Sequence, residues 1–498
     1  MCKEQSNCHN VNELVEENRK LSGEVAFLKD RIAWFERQIF GQKTERFIPD
    51  SSLQTRLPLD GGAPTEQSPA ATETITYTRT RPHANKTPHG RDELPAHLPR
   101  ERVTIPPDFD TTGMVKVGEK ITEELHYQPP VFSVKQLVRD VFATDNNGQR
   151  TLACVDMPPR CIDKGKAGPS VVAQAIVTKC VDHNPLYRFN SQIERYCGLS
   201  LPYSTVNGWY HQGIFWLEPV ARRLHELVFQ CGYAQMDEST IKVMIQPTSG
   251  KSHLGYMMVS HAPELRIVSF RYFYTRNQTN VKELIGENYK GIIQTDGLDI
   301  YNVFMDFDDI IHAGCWAHGR RGFKEALKND EERARWMIDK CKTLFGVEDE
   351  ARALGYNAQQ RLALRLEKSA PVVGEIKSWL NAAIREVPPK NGIGKAIGYM
   401  LNQWDELIRF LSDGRIELSN NGVENRIRLL ALGRKNWMFA GSEDGARRLA
   451  IAYTVLGTVL LHGINPFEYL CKVLEELPRR YANDIDDLLP INPQLLRK

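Results

Sequence analysis

Apolar positions repeat in sevens over residues 11–40. Val11, Asn18, Val25, Ile32 and Ile39 form one series, and Leu14, Leu21, Leu28 and Phe35 form a second, three residues later. This two-position seam is narrower than the stripe a helix lays on its own core, and it predicts a parallel two-stranded coiled coil. Asn18 in the first series would fix register and oligomer state. The dimerising positions read from the pattern are Leu14, Asn18, Leu21, Val25, Leu28 and Ile32.

The pattern then lapses. Residues 47–90 are rich in Pro, Thr, Ser, Gly and Ala and too poor in apolar residues for a core, so they are expected to be a disordered linker. Short β-like runs follow, Val131–Val134 and Leu137–Phe142 among them, and predict a small β-rich module. From Ser170 to Lys179 the period becomes helical. A second helix is expected from Leu186 to Cys197, broken by Gly198, and a third opening on Tyr203-Ser204-Thr205 as its cap. Together they resemble a helix-turn-helix.

From Tyr233 the pattern is α/β. Strands are predicted at Met236–Ile245, Leu254–Ser260, Ile267–Thr275, Gly291–Asp296 and Ile310–Cys315, the first three as an antiparallel meander. Helices are predicted near Val281–Asn288, at Trp316–Leu327, across residues 330–412 with breaks at Pro371 and Pro388-Pro389, and at Leu449–His462. A short helix from Asn465-Pro466 to Leu477 precedes a loosely held tail beyond Pro478. The fold class expected is multidomain α/β. Its divisions are a coiled-coil helix (1–46), the linker (47–90), the β-rich module (91–165), a helix-turn-helix-like DNA-binding region (166–230), a sheet-based core in two parts (231–329 and 413–463) around a helical insertion (330–412), and a C-terminal helix and tail (464–498).

Composition narrows the class. The ten cysteines are scattered with no C-x-x-C pair, which excludes a disulfide framework and favours a reducing cytoplasm. No apolar run reaches membrane-spanning length and no signal-peptide core opens the chain, so no membrane partner is expected. The net charge of +2 does not announce nucleic acid, but its distribution does. Arg320, Arg321 and Lys324 follow the last predicted strand. Arg426, Arg428, Arg434, Lys435, Arg447 and Arg448 lie between Ser419 and Ala450 against three acids, as phosphate contacts would require.

Three acids carry the candidate chemistry. Asp237 and Asp296 each sit at the end of a strand-like run, and Glu424 sits in the first turn of a helix announced by Asn420-Asn421-Gly422. Three convergent carboxylates suit a two-metal phosphoryl-transfer site, because Mg²⁺ takes oxygen ligands and two ions can serve both the attacking and the leaving oxygen. Each acid has a plainer reading. Asp237 suits a solvated edge and Asp296-Gly297 a turn. Glu424 with Asn421 suits a capping box, or an ion pair with Arg428 one turn on. Cys315 and His318 have ligand-like spacing but are expected to serve structure or DNA positioning rather than a metal.

The segments Asp237-Glu238-Ser239-Thr240, Gln294-Thr295-Asp296-Gly297, Cys315–Arg321, Asn420–Arg426 and Gly433–Ser442 occur in that order. The set resembles the DDE transposases of bacterial insertion sequences, in the insertion-sequence family numbered sixty-six. Asn184–Arg188, Asn465–Leu470 and the coil ending Arg37–Gly41 are similar to that family too. The resemblance implies a ribonuclease-H-like core in which Asp237, Asp296 and Glu424 are the catalytic, metal-binding triad, with Mg²⁺ or Mn²⁺ as cofactor. It implies metal-dependent cleavage at element ends and strand transfer into target DNA. The expected partners are end DNA, target DNA, further copies of the chain held by the coil, and accessory transposition proteins. One departure stands out. The family's zinc-binding cysteine pairs fall on Phe109 and Thr112, then Thr144 and Asn147, so zinc is not expected. That loss supports a second expectation, a DNA-binding relic or repressor without catalysis. A third is a nuclease that nicks without joining.

Overall fold

The computed structural model describes residues 132–492, apart from 147–148, 155, 164, 247–249 and 482. The expected coil, the linker and most of the β-rich module lie outside the described residues. Residues 132–140 form no strand, and Val134 and Val138 are exposed; of the expected run Leu137–Phe142 only Val141 and Phe142 are in a strand. A hairpin follows, β1 (Val141–Asn146) antiparallel to β2 (Gln149–Cys154).

Three helices come next, α1 (Pro169–Cys180), α2 (Leu186–Cys197) and α3 (Tyr203–Gln230). Gly198 ends α2 at φ +63°, a left-handed conformation that suits glycine. The start of α3 corrects the sequence reading. Pro202 is the cap residue and no side chain caps the helix, so Ser204 and Thr205 lie inside it.

The sheet comprises β3 (Tyr233–Gln246), β4 (Lys251–Ala262), β5 (Ile267–Phe273), β6 (Gly291–Gln294) and β7 (Ile310–Ala313), in the spatial order β5-β4-β3-β6-β7. β3, β4 and β5 run as an antiparallel meander, while β6 joins β3 in parallel and β7 joins β6 in parallel. Helix α4 (Gln278–Ile285) bridges β5 and β6, capped by Asn277, whose side chain accepts from Asn280 N–H. Met236, Met258, Val281, Leu284, Ile293 and Tyr301 form the core beneath it.

A helical body follows β7 in the chain, before the chain returns to the sheet. It comprises α5 (Trp316–Ala326), α6 (Glu331–Ala353), α7 (Ala358–Leu364), α8 (Ala370–Ala383), α9 (Gly392–Asn402) and the short α10 (Trp404–Leu407). Pro371 does not break the helical path. It occupies the first turn of α8, where its missing N–H costs nothing, and a π-helical turn at Arg365–Ser369 joins α7 to α8. Inside this body Arg365 is fully buried. Its Nε and Nη2 donate to both oxygens of Glu348 at 2.7 Å, and its other bonds go to the carbonyls of Phe410, Asp413 and Ile416. Arg361 grips the same connector through Gly414, Arg415 and Glu417.

The chain returns to the sheet with α11 (Asn421–Trp437) and α12 (Glu443–Leu461). α12 covers the free edge of β5. Thr454 Oγ1 accepts from Phe270 N–H at 2.8 Å and Thr458 Oγ1 from Val268 N–H at 3.2 Å, so an edge that would invite another strand is closed from within. A Cβ at Gly457 would come within 2.7 Å of Val268, so glycine permits this approach. Helix α13 (Pro466–Glu476) ends the regular fold. The tail corrects the expectation of looseness: Ile485, Leu488 and Leu489 are buried, and Tyr469 Oη donates to Leu488 O at 2.9 Å. No helix among the described residues is long and apolar enough to cross a membrane.

Candidate active site

The site begins with the register of two parallel strands. Gln235 on β3 stands opposite Gln294 on β6. Side chains alternate along a strand, so Asp237, two residues beyond Gln235, shares its face, and Asp296 follows Gln294 by the same interval just past the end of β6. The ladder between these strands ends at the glutamine pair. β3 continues to Gln246, whereas β6 stops at Gln294. Asp237 thus lies within its strand rather than at its end, and Asp296 lies in the loop beyond β6. The two acids flank the point where the strands part, the kind of crevice where open α/β sheets bind ligands.

A buried amide network fixes this point. Gln235 Nε2 donates to Gln294 Oε1 at 3.0 Å and to Ser419 O at 3.1 Å. Tyr233 Oη donates to the same Gln294 oxygen at 2.7 Å and accepts from Glu417 N–H at 3.0 Å. Gln294 Nε2 donates to Gly314 O and Glu417 O. The glutamines and Tyr233 are fully buried, so every one of these bonds sits where an unmade one is costly.

The same network holds the helix that carries Glu424. Val423 N–H donates to Gln235 Oε1 at 3.2 Å. A Cβ at Gly422 would fall 2.2 Å from that oxygen, which is why glycine stands there. Asn420 is the cap residue of α11, but its side chain makes no cap bond. Its Nδ2 donates instead to Met236 O at 2.8 Å, and its N–H donates to Cys315 Sγ at 3.1 Å. The capping-box reading of Glu424 with Asn421 therefore fails, because tertiary contacts claim the turn. Burial raises the Cys315 thiol to about 11, which keeps it the neutral sulfur that receives this bond.

Asp237 is the most perturbed of the three acids. Burial pushes its carboxyl up to about 7; the Glu238 N–H, donating to Oδ1 at 2.8 Å, opposes this, while the negative charges of Asp296, Glu238 and Glu424 add to it. Asp296 and Glu424 therefore both lie within electrostatic reach of Asp237. Asp296 accepts from Leu298 N–H at 3.1 Å, and its carbonyl receives Tyr399 Oη from α9 at 2.6 Å. Glu424 faces α5. His318 Nε2 lies 3.7 Å from its Oε1 and Arg321 lies 3.6 Å from its Oε2. Neither contact is a hydrogen bond, and Oε1 is buried without a hydrogen-bond partner. The partners of Glu424 are His318 and Arg321, not Arg428 as the helix spacing suggested.

As they stand, no three His, Cys, Asp or Glu side chains among the described residues are gathered tightly enough to hold a metal ion. The donor set nonetheless fits a hard divalent cation. It offers carboxylate oxygens only, one of them orphaned in a buried position and another whose proton is held by burial and by its acidic neighbours.

The basic candidates divide. Arg321 alone meets an acid of the site. Arg320 lies over the Phe345 ring at 5.9 Å. Arg434 reaches across to Ser239 Oγ at 2.9 Å and to the Thr240 carbonyl, and Arg447 pairs with Asp444 and Glu443, so both have internal partners. Arg426 bonds Gly422 O in its own helix. Arg428, Lys324 and Lys435 are exposed, and Arg448 is half-buried. Gln235, Gln294, Tyr233 and Tyr399 were missed at the level of sequence. The signal for the glutamines was there: Gln-x-Asp occurs at both Gln235-Met236-Asp237 and Gln294-Thr295-Asp296.

Comparison with known proteins adds context to this geometry. Residues 164–448 match the family model described as Transposase IS66 family. Residues 28–103 match Transposase C of IS166 homeodomain, and residues 454–491 match the IS66 C-terminal element. The protein y4hP of Sinorhizobium fredii (strain NBRC 101917 / NGR234) is 29% identical over 94% of this chain and 88% of its own length. The proteins y4jD and y4qI of the same strain are 26% and 31% identical, over 96% and 82% of this chain and 97% and 78% of their own. All three are described as uncharacterized.

Proposed function

The chain belongs to the transposase IS66 family, and from that premise we propose that it cuts the ends of an insertion sequence and joins them to target DNA through Asp237, Asp296 and Glu424. One observation carries the reading. The register of β3 against β6 pairs Gln235 with Gln294, each two residues before an aspartate, and Gln235 ties the helix bearing Glu424 to the same rung. The strand order, with three antiparallel strands and two parallel ones, supports a ribonuclease-H-like core. Residues 231–329 and 413–463 would form it around the insertion at 330–412. The helices of 166–230 would bind DNA, and the N-terminal heptads would pair protomers so that two ends are held together.

Divalent metal ions are general in this family, and Mg²⁺ or Mn²⁺ would be held by the three carboxylates. Such ions supply a nucleophile at neutral pH and charge stabilisation at the phosphorus. The chain's own groups set the terms. Asp237 must give up the proton that burial and its acidic neighbours help it keep. Glu424 must leave His318 and Arg321. Arg321, once released, stands beside the acids where a phosphate would lie.

Incubating the full chain with a labelled end duplex and Mn²⁺ tests this. Free 3′ hydroxyls and joined products, both abolished by chelation, are expected. End DNA that is bound but never cut would favour the relic, and nicked ends that never join would favour a nuclease.

A further inference from the structure

The sheet face opposite the acids is covered along only part of its length. Register places Glu238, Met258 and Arg271 in one row across β3, β4 and β5, then Thr240, Tyr256 and Phe273 in the next, then Lys242 and Leu254. Met258, packed in the core with α4, is 1% exposed, whereas Leu254 two rows out is 49% exposed. Thr240, Lys242 and Arg271 are exposed, and Tyr256 and Phe273 are half-buried. The Arg276 guanidinium lies over the Tyr256 ring at 5.5 Å and is held there by Glu238 Oε1 at 2.8 Å. Glu238 is the residue next to Asp237, so this surface starts at the catalytic strand itself.

We propose that this open face is a track for a single DNA strand, with phosphates on Lys242 and Arg271 and unstacked bases on Tyr256 and Phe273. The proposal rests on the transposase reading and adds where a strand runs once it leaves the acids. Charge complementarity selects the occupant. The face carries Lys242, Arg271 and Arg276 against one acid, Glu238, which is already paired. Half-buried aromatic rings between exposed cations suit bases stacked on a sheet, and bases inside a duplex have no free face to offer. Glu443 and Asp444 do not oppose this: Glu443 lies 3.8 Å from His253, whose row partner Val243 belongs to the other face, and Asp444 pairs with Arg447 at 3.0 Å.

Fluorescence anisotropy of the full chain with a fluorescein-labelled single-stranded oligonucleotide tests it, with thermal melting to show that each variant is folded. Lys242→Ala/Arg271→Ala should weaken binding about ten-fold and make the log–log salt dependence shallower by about 1.4. Tyr256→Leu should weaken binding about ten-fold with the slope unchanged. The charge-preserving pair Lys242→Arg/Arg271→Lys should bind as wild type does. Unchanged affinity and slope in the alanine pair overturns the track and leaves the transposase reading standing. A particle mass that falls in that pair at unchanged DNA affinity also overturns it, marking the face as an interface between copies. A wild-type chain that binds neither single strands nor end duplex overturns both.

Discussion

Gln235 and Gln294 stand opposite each other in a parallel ladder and share a hydrogen bond of 3.0 Å, each two residues before an aspartate of the site. The pair sets the spacing of the two acids and, through Val423 N–H, the position of Glu424. Gln294→Leu would leave Tyr233 Oη, Gly314 O and Glu417 O short of partners in a fully buried place. A loss of about 3 kcal/mol or more is expected in urea denaturation. Below its melting point the variant should still bind DNA and fail to join it.

Asp237 gives a pH dependence with a definite sign. Its folded pKa, about 7, lies above the ordinary carboxylate value, so between those values the folded state holds a proton that the unfolded state has lost. Stability from this group therefore falls as pH rises through that window and stays low above it. Asp237→Asn should raise the melting temperature at about pH 8 by the equivalent of at most about 4 kcal/mol, and leave it little changed at about pH 4. Mn²⁺ should stabilise wild type at the higher pH and lose that effect in the variant. Thermal melts at the two pH values, with and without the ion, check both statements.

Arg321 competes with any cation for Glu424. The arginine side chain is 55% exposed, so the pair is worth little. Arg321→Ala should tighten Mn²⁺ binding to the DNA-free protein by about two- to five-fold in calorimetric titration. The same change should weaken end-DNA binding if, as proposed, the released Arg321 meets a phosphate.

Arg365 and Glu348 lie inside the helical body at 0% and 4% exposure. Arg365→Ala leaves a buried carboxylate and three carbonyls unmet, and should cost about 3–5 kcal/mol by chemical denaturation. Arg365→Met/Glu348→Leu should recover part of that loss, since removing both charges leaves no buried ion.

Thr454 and Thr458 close the edge of β5. Valine at either position keeps the shape and leaves a strand N–H without its acceptor. Each change should cost about 1–2 kcal/mol in denaturation, and the double variant should aggregate more readily on light scattering.

Much of the sheet was legible because its strands are runs of β-branched and aromatic residues bounded by turn residues. α12 was legible as a long apolar helix. The acids were legible as candidates through the order of motifs, not through their local setting. What local rules missed was tertiary. Asn420-Asn421-Gly422-Val423-Glu424 has the spacing of a capping box, yet the Asn420 amide bonds Met236 O on the sheet, and the helix begins one residue earlier than a box on Asn421 requires. The tail reads as polar because Ile485, Leu488 and Leu489 are too few to form a periodic pattern, although they suffice to pack beside α13. Gln-x-Asp was written twice in the chain, but its meaning appears only when two strands far apart in sequence align.

The central claim is that Asp237, Asp296 and Glu424 act as one catalytic unit on DNA. End cleavage and strand transfer measured with Mn²⁺ for Asp237→Asn, Asp296→Asn and Glu424→Gln, beside end-DNA binding by the same preparations, test it most directly. The account predicts that each variant binds end DNA within about two-fold of wild type while cleavage and joining fall by at least about a thousand-fold. Wild-type cleavage and joining in any one of the three would contradict it.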